Sequence, residues 1–432
     1  MPDYRVYCIL LALTCSSAGA EQPREHQLVA LIRFVLADNP TIKKAATYVE
    51  ISEKEQMKSR AFLFPELSVR SAYNTDHFQA AQGTNLLRYY DAEVTLRQTL
   101  FDFSSIVKWR EASQFHGEQK YLGDYQKQLI IYETCSLYLA FLRAERLIEL
   151  SKTNNGLSHE HLNSTKQRFK SGELTINDVN QAETRSLVAN TVMAEAVNRH
   201  ELSRLKLMEV LGQGIQGSPA LFNINFQNPA IAKFLKLGKL DMNPNLKSMD
   251  YSIKKQELKI QRMKSYNVPM ANLTMSQNRN YDTTVSGYRG PLDETAMKFE
   301  VSMNLFNGGE SIAEQLQSKL ELKILQQDRE IFTRKTKRQL SEAVKTLDLK
   351  LELEKTFTLA AKTAQDAVDG IRKEYLAGSA TSIDLMDAQN ELFSVRTQLL
   401  NSKIESIMSK LDVLLALGLL DFNLFAECIT HD

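Results

Sequence analysis

The sequence is duplicated internally, and this repeat constrains the fold more than any other feature. When the chain is shifted against itself by about 205 positions, landmarks of its first half meet landmarks of its second half in order. The matching landmarks are Asn39-Pro40 with Asn243-Pro244, Pro65 with Pro269, Leu100-Phe101-Asp102 with Leu305-Phe306-Asn307, Gly172 with Gly378, and Leu211-Gly212 with Leu417-Gly418. We therefore predict two copies of one structural unit, at residues 21–212 and 243–418, with a connector at 213–242 and a tail at 419–432.

Each copy contains segments that predict long helices. The stretches from Phe103 to Gly172 and from Gly308 to Gly378 hold no proline and are rich in Leu, Ala, Glu, Lys and Gln. At 1.5 Å per residue each makes a rod of roughly 100 Å. The pieces expected to stack end to end into a second rod of similar length are Gly172–Gly212 with Asn243–Pro269, and Gly378–Gly418 with Asn39–Pro65. Rods this long cannot hide an apolar stripe inside a globule, so we expect antiparallel coiled coils. The connector and the tail are then expected to form an equatorial collar where the short rods meet.

Two segments in each copy predict strands, because apolar and polar residues alternate there. In the second copy Met297, Phe299 and Val301 alternate with Lys298 and Glu300. The predicted strands are about 66–75, 91–103, 269–281 and 296–306, each close to the length of a strand that crosses a membrane. A soluble hairpin with one solvated face is the alternative, but strands at equal places on long helical rods favour the membrane.

The strands predict an assembly of several chains. No run of 18 apolar residues follows residue 20, which excludes a transmembrane helix. Four strands from one chain cannot close a barrel, and an open sheet edge cannot exist in lipid. A dimer would give eight strands and a filled interior, whereas a trimer would give twelve strands and a wet lumen. The predicted fold class is therefore mainly helical with membrane strands shared between chains.

The first 20 residues predict a secretory signal peptide. Arg5 precedes an apolar run at 6–13, and small residues end at Ala20. Cys15 leaves a lipoprotein open as an alternative. Cys135 and Cys428, the cysteines that remain after the signal, do not make a disulfide framework.

Composition and motifs exclude several functions. With 53 basic and 52 acidic residues the chain has no excess of positive charge that would indicate nucleic-acid binding. The letters GQGIQG at 212–217 fit a dinucleotide fingerprint, but they follow a helix rather than a strand, so we interpret them as a helix end and a turn. His159 and His161 face apart on a helix and have no third ligand nearby, so no metal site is expected. The sequence contains neither a nucleophile paired with a base nor a phosphate-binding loop. We therefore predict that the protein is not an enzyme and binds no cofactor.

A short motif recurs at the end of each long helix. Thr175 with Asp178, and Thr381 with Asp384, have the capping-box spacing just after Gly172 and Gly378. Local stabilisation of the helix start is the simplest role of these residues. The second copy adds Asp387, which shares a helix face with Asp384. If that face meets the axis of a trimer, carboxylates ring the tip, raise one another's pKa values and attract cations.

The order of these motifs resembles the TolC-type outer-membrane channel proteins of Gram-negative bacteria. The shared order is NP, LFP, a strand pair, LFD or LFNGG, a long helix, GxxTxxD and LG, given twice between residues 30 and 420. The resemblance implies a homotrimer with a twelve-stranded barrel in outer-membrane lipid and a long periplasmic tunnel. It also implies two partners, a periplasmic membrane-fusion adaptor and an inner-membrane transporter, either an ABC exporter or a proton-driven pump.

The resemblance assigns roles at the tip. Asp384 and Asp387 correspond to the acidic ring of the closed periplasmic aperture, where divalent cations plug the entrance. Tyr375 corresponds to a constriction tyrosine, Asp178 to its partner, and Asn177 lies beside that partner. Ala380 stands where the efflux prototype has an arginine, which implies a looser or differently built latch. The alternative for Tyr375 is ordinary coiled-coil packing, with Phe169 as its counterpart.

Two uses of such a channel remain open. We expect the exit duct of a type I protein secretion system, because the stretch AETRSLVAN after Asp178 and the missing arginine look more like that branch of the family. The outer-membrane channel of a tripartite multidrug efflux pump is the alternative. A non-conducting periplasmic coiled-coil scaffold or adaptor is an alternative of another class, but it has no need of paired strands in both copies.

Overall fold

A computed structural model describes residues 27–80, 83–212, 221–224, 240, 242–285 and 288–431. The predicted signal peptide, Cys15, most of the GQGIQG stretch and most of the connector lie outside these residues. The helices are α1 (Gln27–Asp38), α2 (Pro40–Ser59), α3 (Phe103–Lys170), α4 (Ile176–Leu211), α5 (Pro244–Lys264), α6 (Glu310–Leu376), α7 (Ser382–Leu417) and α8 (Phe422–Cys428). The strands are β1 (Glu66–Ala80), β2 (Gly83–Phe101), β3 (Phe222–Ile224), β4 (Met270–Val285), β5 (Tyr288–Ser302) and β6 (Ile429–His431).

The two long helices run without interruption, as the sequence predicts. The carboxylate of Asp102 accepts a hydrogen bond from the Ser104 amide (2.9 Å) and begins α3 directly after β2. In the second copy Gly308 and Gly309 adopt positive φ angles of 70° and 93° before α6 begins. A tight reversal of this kind favours glycine, which lacks a Cβ. No helix in the described part of the chain is both long and apolar enough to cross a membrane.

The predicted stacking of the short helices is wrong in its pairing. Asn39 caps α2 through a hydrogen bond from the Thr41 amide, and its Nδ2 donates to the carbonyl of Val210 at the end of α4 (3.2 Å). Asn243 caps α5 in the same way, and its Nδ2 donates to the carbonyl of Ala416 at the end of α7 (3.4 Å). Each short helix therefore abuts the helix end of its own repeat, α2 with α4 and α5 with α7. Helix length alone allowed either pairing, whereas the asparagine amides select this one.

Four long strands form one antiparallel sheet in the order β1-β2-β4-β5. The predicted strands are present, but β2 begins at 83 rather than 91 and β5 at 288 rather than 296. These added residues pair with the far ends of β1 and β4, although their own sequence does not alternate. Residues 303–306 continue the alternation yet lie outside β5, because β4 starts at Met270, which pairs with Ser302. Both β1 and β5 leave one edge unpaired in the protomer.

One face of this sheet is apolar and exposed. Val69, Val94 and Leu96 occupy it on β1 and β2, and Val69 exposes 73% of its surface. The same face continues on β5 with Phe299, which is 64% exposed, and its neighbours Met297 and Val301. The opposite face carries charged and polar side chains: Glu66, Arg97, Thr274 and Lys298 lie in one row. Monomeric soluble proteins rarely expose an apolar area this continuous, so this face needs an apolar environment.

A hydrophobic core lies midway along the long helices. Tyr138, near the centre of α3, is fully buried and packs against Phe222 of β3, with ring centroids 6.1 Å apart. Strand β3 pairs with β6, so the described part of the connector meets the tail here. Lys410 of α7 is also buried and donates to the side chain of Asn223 (2.5 Å). Helix α1, which sequence analysis did not predict, contributes Leu28 and Ile32 to this core.

Candidate functional site

The candidate site is the tip where α3 turns into α4 and α6 turns into α7. Gly172 and Gly378 adopt left-handed backbone conformations, with φ of 79° and 80°. Their amides donate to the carbonyls of Phe169 and Tyr375, which closes each helix end. No heavy atom lies near a Cβ built on either glycine, so the turn requires glycine for its backbone angle and not for space. Both turns lie at the end of the rods remote from the four-stranded sheet.

Both predicted capping boxes are present. The Thr175 amide donates to the Asp178 carboxylate (2.7 Å), and the Asp178 amide donates to the Thr175 hydroxyl (3.4 Å). The second copy repeats this between Thr381 and Asp384, at 2.8 and 3.2 Å. Hydrogen bonds from the Thr side chain and then from its backbone lower the pKa of each Asp below its usual range. The rise in pKa expected for a ring of carboxylates concerns the trimer, so it stays a prediction.

Loss of the second capping box should loosen the start of α7. We expect Thr381→Ala to raise amide exchange in the first turn of α7 about fivefold, because the cap satisfies otherwise unpaired amides. Thr358→Ala is the matched control, since the Thr358 hydroxyl only donates to the carbonyl of Glu354 within α6. Hydrogen–deuterium exchange of residues 382–386 measures the effect. Equal exchange in both variants would contradict a capping role.

Arg168 joins the two repeats at the tip. Its Nη1 donates to the Tyr375 hydroxyl (2.9 Å), and its guanidinium carbon lies 5.4 Å from the centre of the Tyr375 ring. Its Nε donates to the carboxylate of Glu173 (2.9 Å) on the turn that follows α3. Hydrogen bonding to Glu173, and then to Tyr375, raises the pKa of Arg168, so this side chain stays charged.

Arg185 makes a second connection between the repeats. Its Nη1 lies 2.8 Å from the Oδ1 of Asp387, which links α4 to α7. The Asp387 side chain is 63% exposed, so solvent and salt reach its carboxylate, whereas the Arg185 Nη1 atom is buried and meets Asp387 as an ion pair without hydrogen-bond geometry. The two predicted ring residues thus have different surroundings in the protomer. Asp384 caps its own helix, and Asp387 carries a positive partner from the first repeat.

His161 makes a third connection. Its ring is 7% exposed, and its Nε2 lies 2.6 Å from the hydroxyl of Ser382, the first residue of α7. His159 instead contacts Ser186 of its own repeat (3.1 Å). No group of three or more His, Cys, Asp or Glu side chains suited to a metal ion occurs among the residues that the structure describes.

The predicted latch differs from the observed contacts. Tyr375 does not contact Asp178 within the protomer, because the Asp178 carboxylate is used by Thr175 and the Tyr375 hydroxyl accepts from Arg168. Asn177 is exposed beside the turn. Tyr375 is half-buried and hydrogen-bonded, which is more than coiled-coil packing requires. Its counterpart Phe169 is 40% exposed.

The sequence motifs do not predict the contacts of Arg168 and Arg185, and they bring in His161 only as a metal ligand that is excluded. The repeat nevertheless contains a signal for the two arginines. When Gly172 is aligned with Gly378, Arg168 falls on Glu374 and Arg185 on Glu391. A charge that reverses between two copies marks positions where the copies differ in role. Both arginines reach across to the second copy.

Known proteins match this chain over almost its whole length. The model of the family described as "Outer membrane efflux protein" matches residues 31–213 and 239–418. Outer membrane protein TolC of Salmonella enteritidis is 24% identical over 437 residues, which cover 96% of this chain and 86% of that protein. The alkaline protease secretion protein AprF of Pseudomonas aeruginosa is 20% identical over 403 residues, which cover 90% of this chain and 83% of that protein.

The fold is that of solved outer-membrane channels. The crystal structure of the Campylobacter jejuni CmeC outer membrane channel superposes with a TM-score of 0.80 at 13% identity, covering 96% of this chain and 94% of that one. At this identity the similarity establishes the fold alone. The predicted combination of a long helical hairpin pair with one antiparallel sheet is confirmed.

Proposed function

Because the chain belongs to the outer membrane efflux protein family, whose members are outer-membrane channels of Gram-negative bacteria, we propose that it is the exit duct of a type I protein secretion system. The family includes both secretion and efflux proteins. The duct is a passive conduit from the periplasm to the exterior. The observation that carries the proposal of a membrane duct is the exposed apolar face of a sheet with two open edges, held at one end of roughly 100 Å helical rods.

Three copies complete the proposed duct. An unpaired strand edge cannot remain in lipid, so β1 of one copy pairs with β5 of the next. Three copies of four strands close a barrel wide enough for a wet lumen. The exposed apolar face then contacts lipid, and the face that carries Arg97 and Lys298 lines the lumen.

The tip is the proposed gate. Arg168 with Tyr375 and Arg185 with Asp387 hold the first repeat against the second, so they act as the constriction latch in place of the Tyr375–Asp178 pair. Asp384 and Asp387 ring the aperture of the trimer. A periplasmic adaptor opens the tip by turning α6 and α7 outward, and an ABC exporter in the inner membrane supplies the energy.

The acidic ring predicts sensitivity to divalent cations. Asp384→Ala combined with Asp387→Ala should weaken the block of the channel by Mg²⁺ several-fold, because a ring of like charges attracts divalent ions. Asp178→Ala combined with Arg185→Gln is the matched control, since it removes an equivalent capping carboxylate and the same Arg185–Asp387 contact but leaves Asp384 and Asp387 in place. Single-channel recordings in planar bilayers measure the block. An unchanged Mg²⁺ block in the variant that lacks Asp384 and Asp387 would rule out an acidic aperture.

Secretion rather than efflux is supported by the stretch AETRSLVAN after Asp178 and by the protease secretion protein among the relatives. The test is a deletion of the gene in its own bacterium, complemented with the intact chain. We expect a large protein to disappear from the medium while susceptibility to hydrophobic drugs stays unchanged. Restored drug resistance on complementation, with an unaltered set of secreted proteins, would contradict secretion and favour an efflux pump.

A further inference from the structure

His161 occupies a buried position between the two repeats. The ring lies on α3 and touches Ser382 at the start of α7, while the Thr165 hydroxyl lies 3.3 Å from the same Nε2. The Tyr375 ring of α6 is also adjacent, with centroids 6.3 Å apart. His161 thus contacts the second repeat at the end of one tip helix and the beginning of the other.

The charges around His161 are mostly positive. Arg168 faces it from α3 and Arg185 from α4, and both act on its titration. At the start of α7 the carboxylate of Asp384 is held by Thr381, and that of Asp387 is held by Arg185. From α6 the neighbour is the phenol ring of Tyr375. No carboxylate among the described residues is hydrogen-bonded to His161 to compensate a charge on its ring.

We propose that His161 is a positioning residue of the closed tip, and that protonation of its ring releases the contact between the repeats. A protonated ring would place a third positive charge beside Arg168 and Arg185, on a side chain that is itself only 7% exposed. Separation of the repeats relieves both the repulsion and the cost of burying the charge. The inference rests on the proposed function of the tip as a gate.

The direction of the pH dependence follows from the surroundings. Burial, and then Arg185 and Arg168, lower the pKa of His161 in the closed tip. In an open tip the ring meets water, and its pKa returns to about 6.5. The open state therefore binds more protons, so the closed state is most stable above that pH. It loses stability as the pH falls through about 6.5 towards the lower value of the closed tip. Mild acid should favour opening.

The test compares the open probability of the channel at a pH above and a pH below the ordinary pKa of histidine. In planar bilayers the open probability of the unaltered protein should rise about tenfold between about pH 7.5 and about pH 5.5. His161→Gln keeps an amide that can bond Ser382 but cannot titrate, so its open probability should not respond to this pH change. His159→Gln is the matched control two residues away, and it should respond like the unaltered protein.

A second measurement does not depend on conduction. Amide exchange of residues 382–386, corrected for the intrinsic effect of pH, should increase in acid in the unaltered protein and not in His161→Gln. A pH response that survives in His161→Gln, or that is absent from the unaltered protein in both measurements, would overturn the inference. A protein that forms no channel at any pH would instead contradict the proposed duct, while the exchange data would still decide the role of His161.

Discussion

Replacement of Arg168 and Arg185 by glutamine should raise the open probability of the channel roughly a hundredfold. Each arginine makes one cross-repeat contact per protomer, to Tyr375 and to Asp387. Because these side chains are partly exposed, each contact contributes only about 0.5 kcal/mol. A trimer that opens as a unit loses all six contacts together, about 3 kcal/mol, and every 1.4 kcal/mol is a factor of ten in the equilibrium.

Arg199→Gln is the matched control for this prediction. Arg199 lies on the same helix as Arg185 but pairs with Glu195 of its own helix (3.4 Å), so the same substitution removes no cross-repeat contact. Tyr375→Phe removes only the hydroxyl that accepts from Arg168 and should reproduce part of the effect. Single-channel recordings at low and high salt measure the result. If the arginine variants stay closed like Arg199→Gln, these contacts do not hold the gate.

Gly418→Ala should destabilise the protein far more than the equivalent Gly212→Ala. Both glycines end the second long helix of their repeat with positive φ, at 73° and 69°. A Cβ at Gly418 would lie 2.5 Å from the Cα of Asn243, whereas a Cβ at Gly212 has no heavy atom within 4 Å. We expect a loss of about 3 kcal/mol for Gly418→Ala, which adds overpacking to backbone strain, and of about 1 kcal/mol for Gly212→Ala, which adds strain alone.

The larger loss of stability expected for Gly418→Ala arises at the junction of α7 and α5. Asn243 caps α5 and donates to the end of α7, so the two helices meet backbone against backbone. An added methyl group at Gly418 forces this junction apart. Thermal unfolding followed by helical circular dichroism measures both variants in detergent. Equal losses of stability would show that the backbone angle matters and the contact with Asn243 does not.

Local features of this chain were predictable and distant contacts were not. The capping boxes at Thr175 and Thr381 follow from spacing within one helical turn, and α3 and α6 follow from long segments without proline. The first residues of β2 and β5 were missed because their pairing partners, not their own alternation, place them in the sheet. Helix length could not decide between α4 and α7 as the stacking partner of α5, because the contacts that join α5 to α7 come from the Asn243 side-chain amide and from the backbone at Gly418.

At the gate, too, local features were predictable and contacts between distant residues were not. The tip itself was predictable from two repeated turns, and so were the capping roles of Asp178 and Asp384. The partner of Tyr375 was not, because Arg168 lies on the other repeat and spacing rules reach only one or two turns. The family resemblance suggested Asp178 as the partner, but the capping box competes for that carboxylate. Comparison of the two copies at Arg168 and Glu374 was the only sequence signal for the observed contact.

The central claim is that several copies of this chain complete one membrane barrel that no single copy can close. The most direct measurement is the mass of the protein extracted from outer membranes in detergent, determined by light scattering with the detergent subtracted. The account predicts a stable complex of three chains. A single chain that stays in solution without detergent would contradict it.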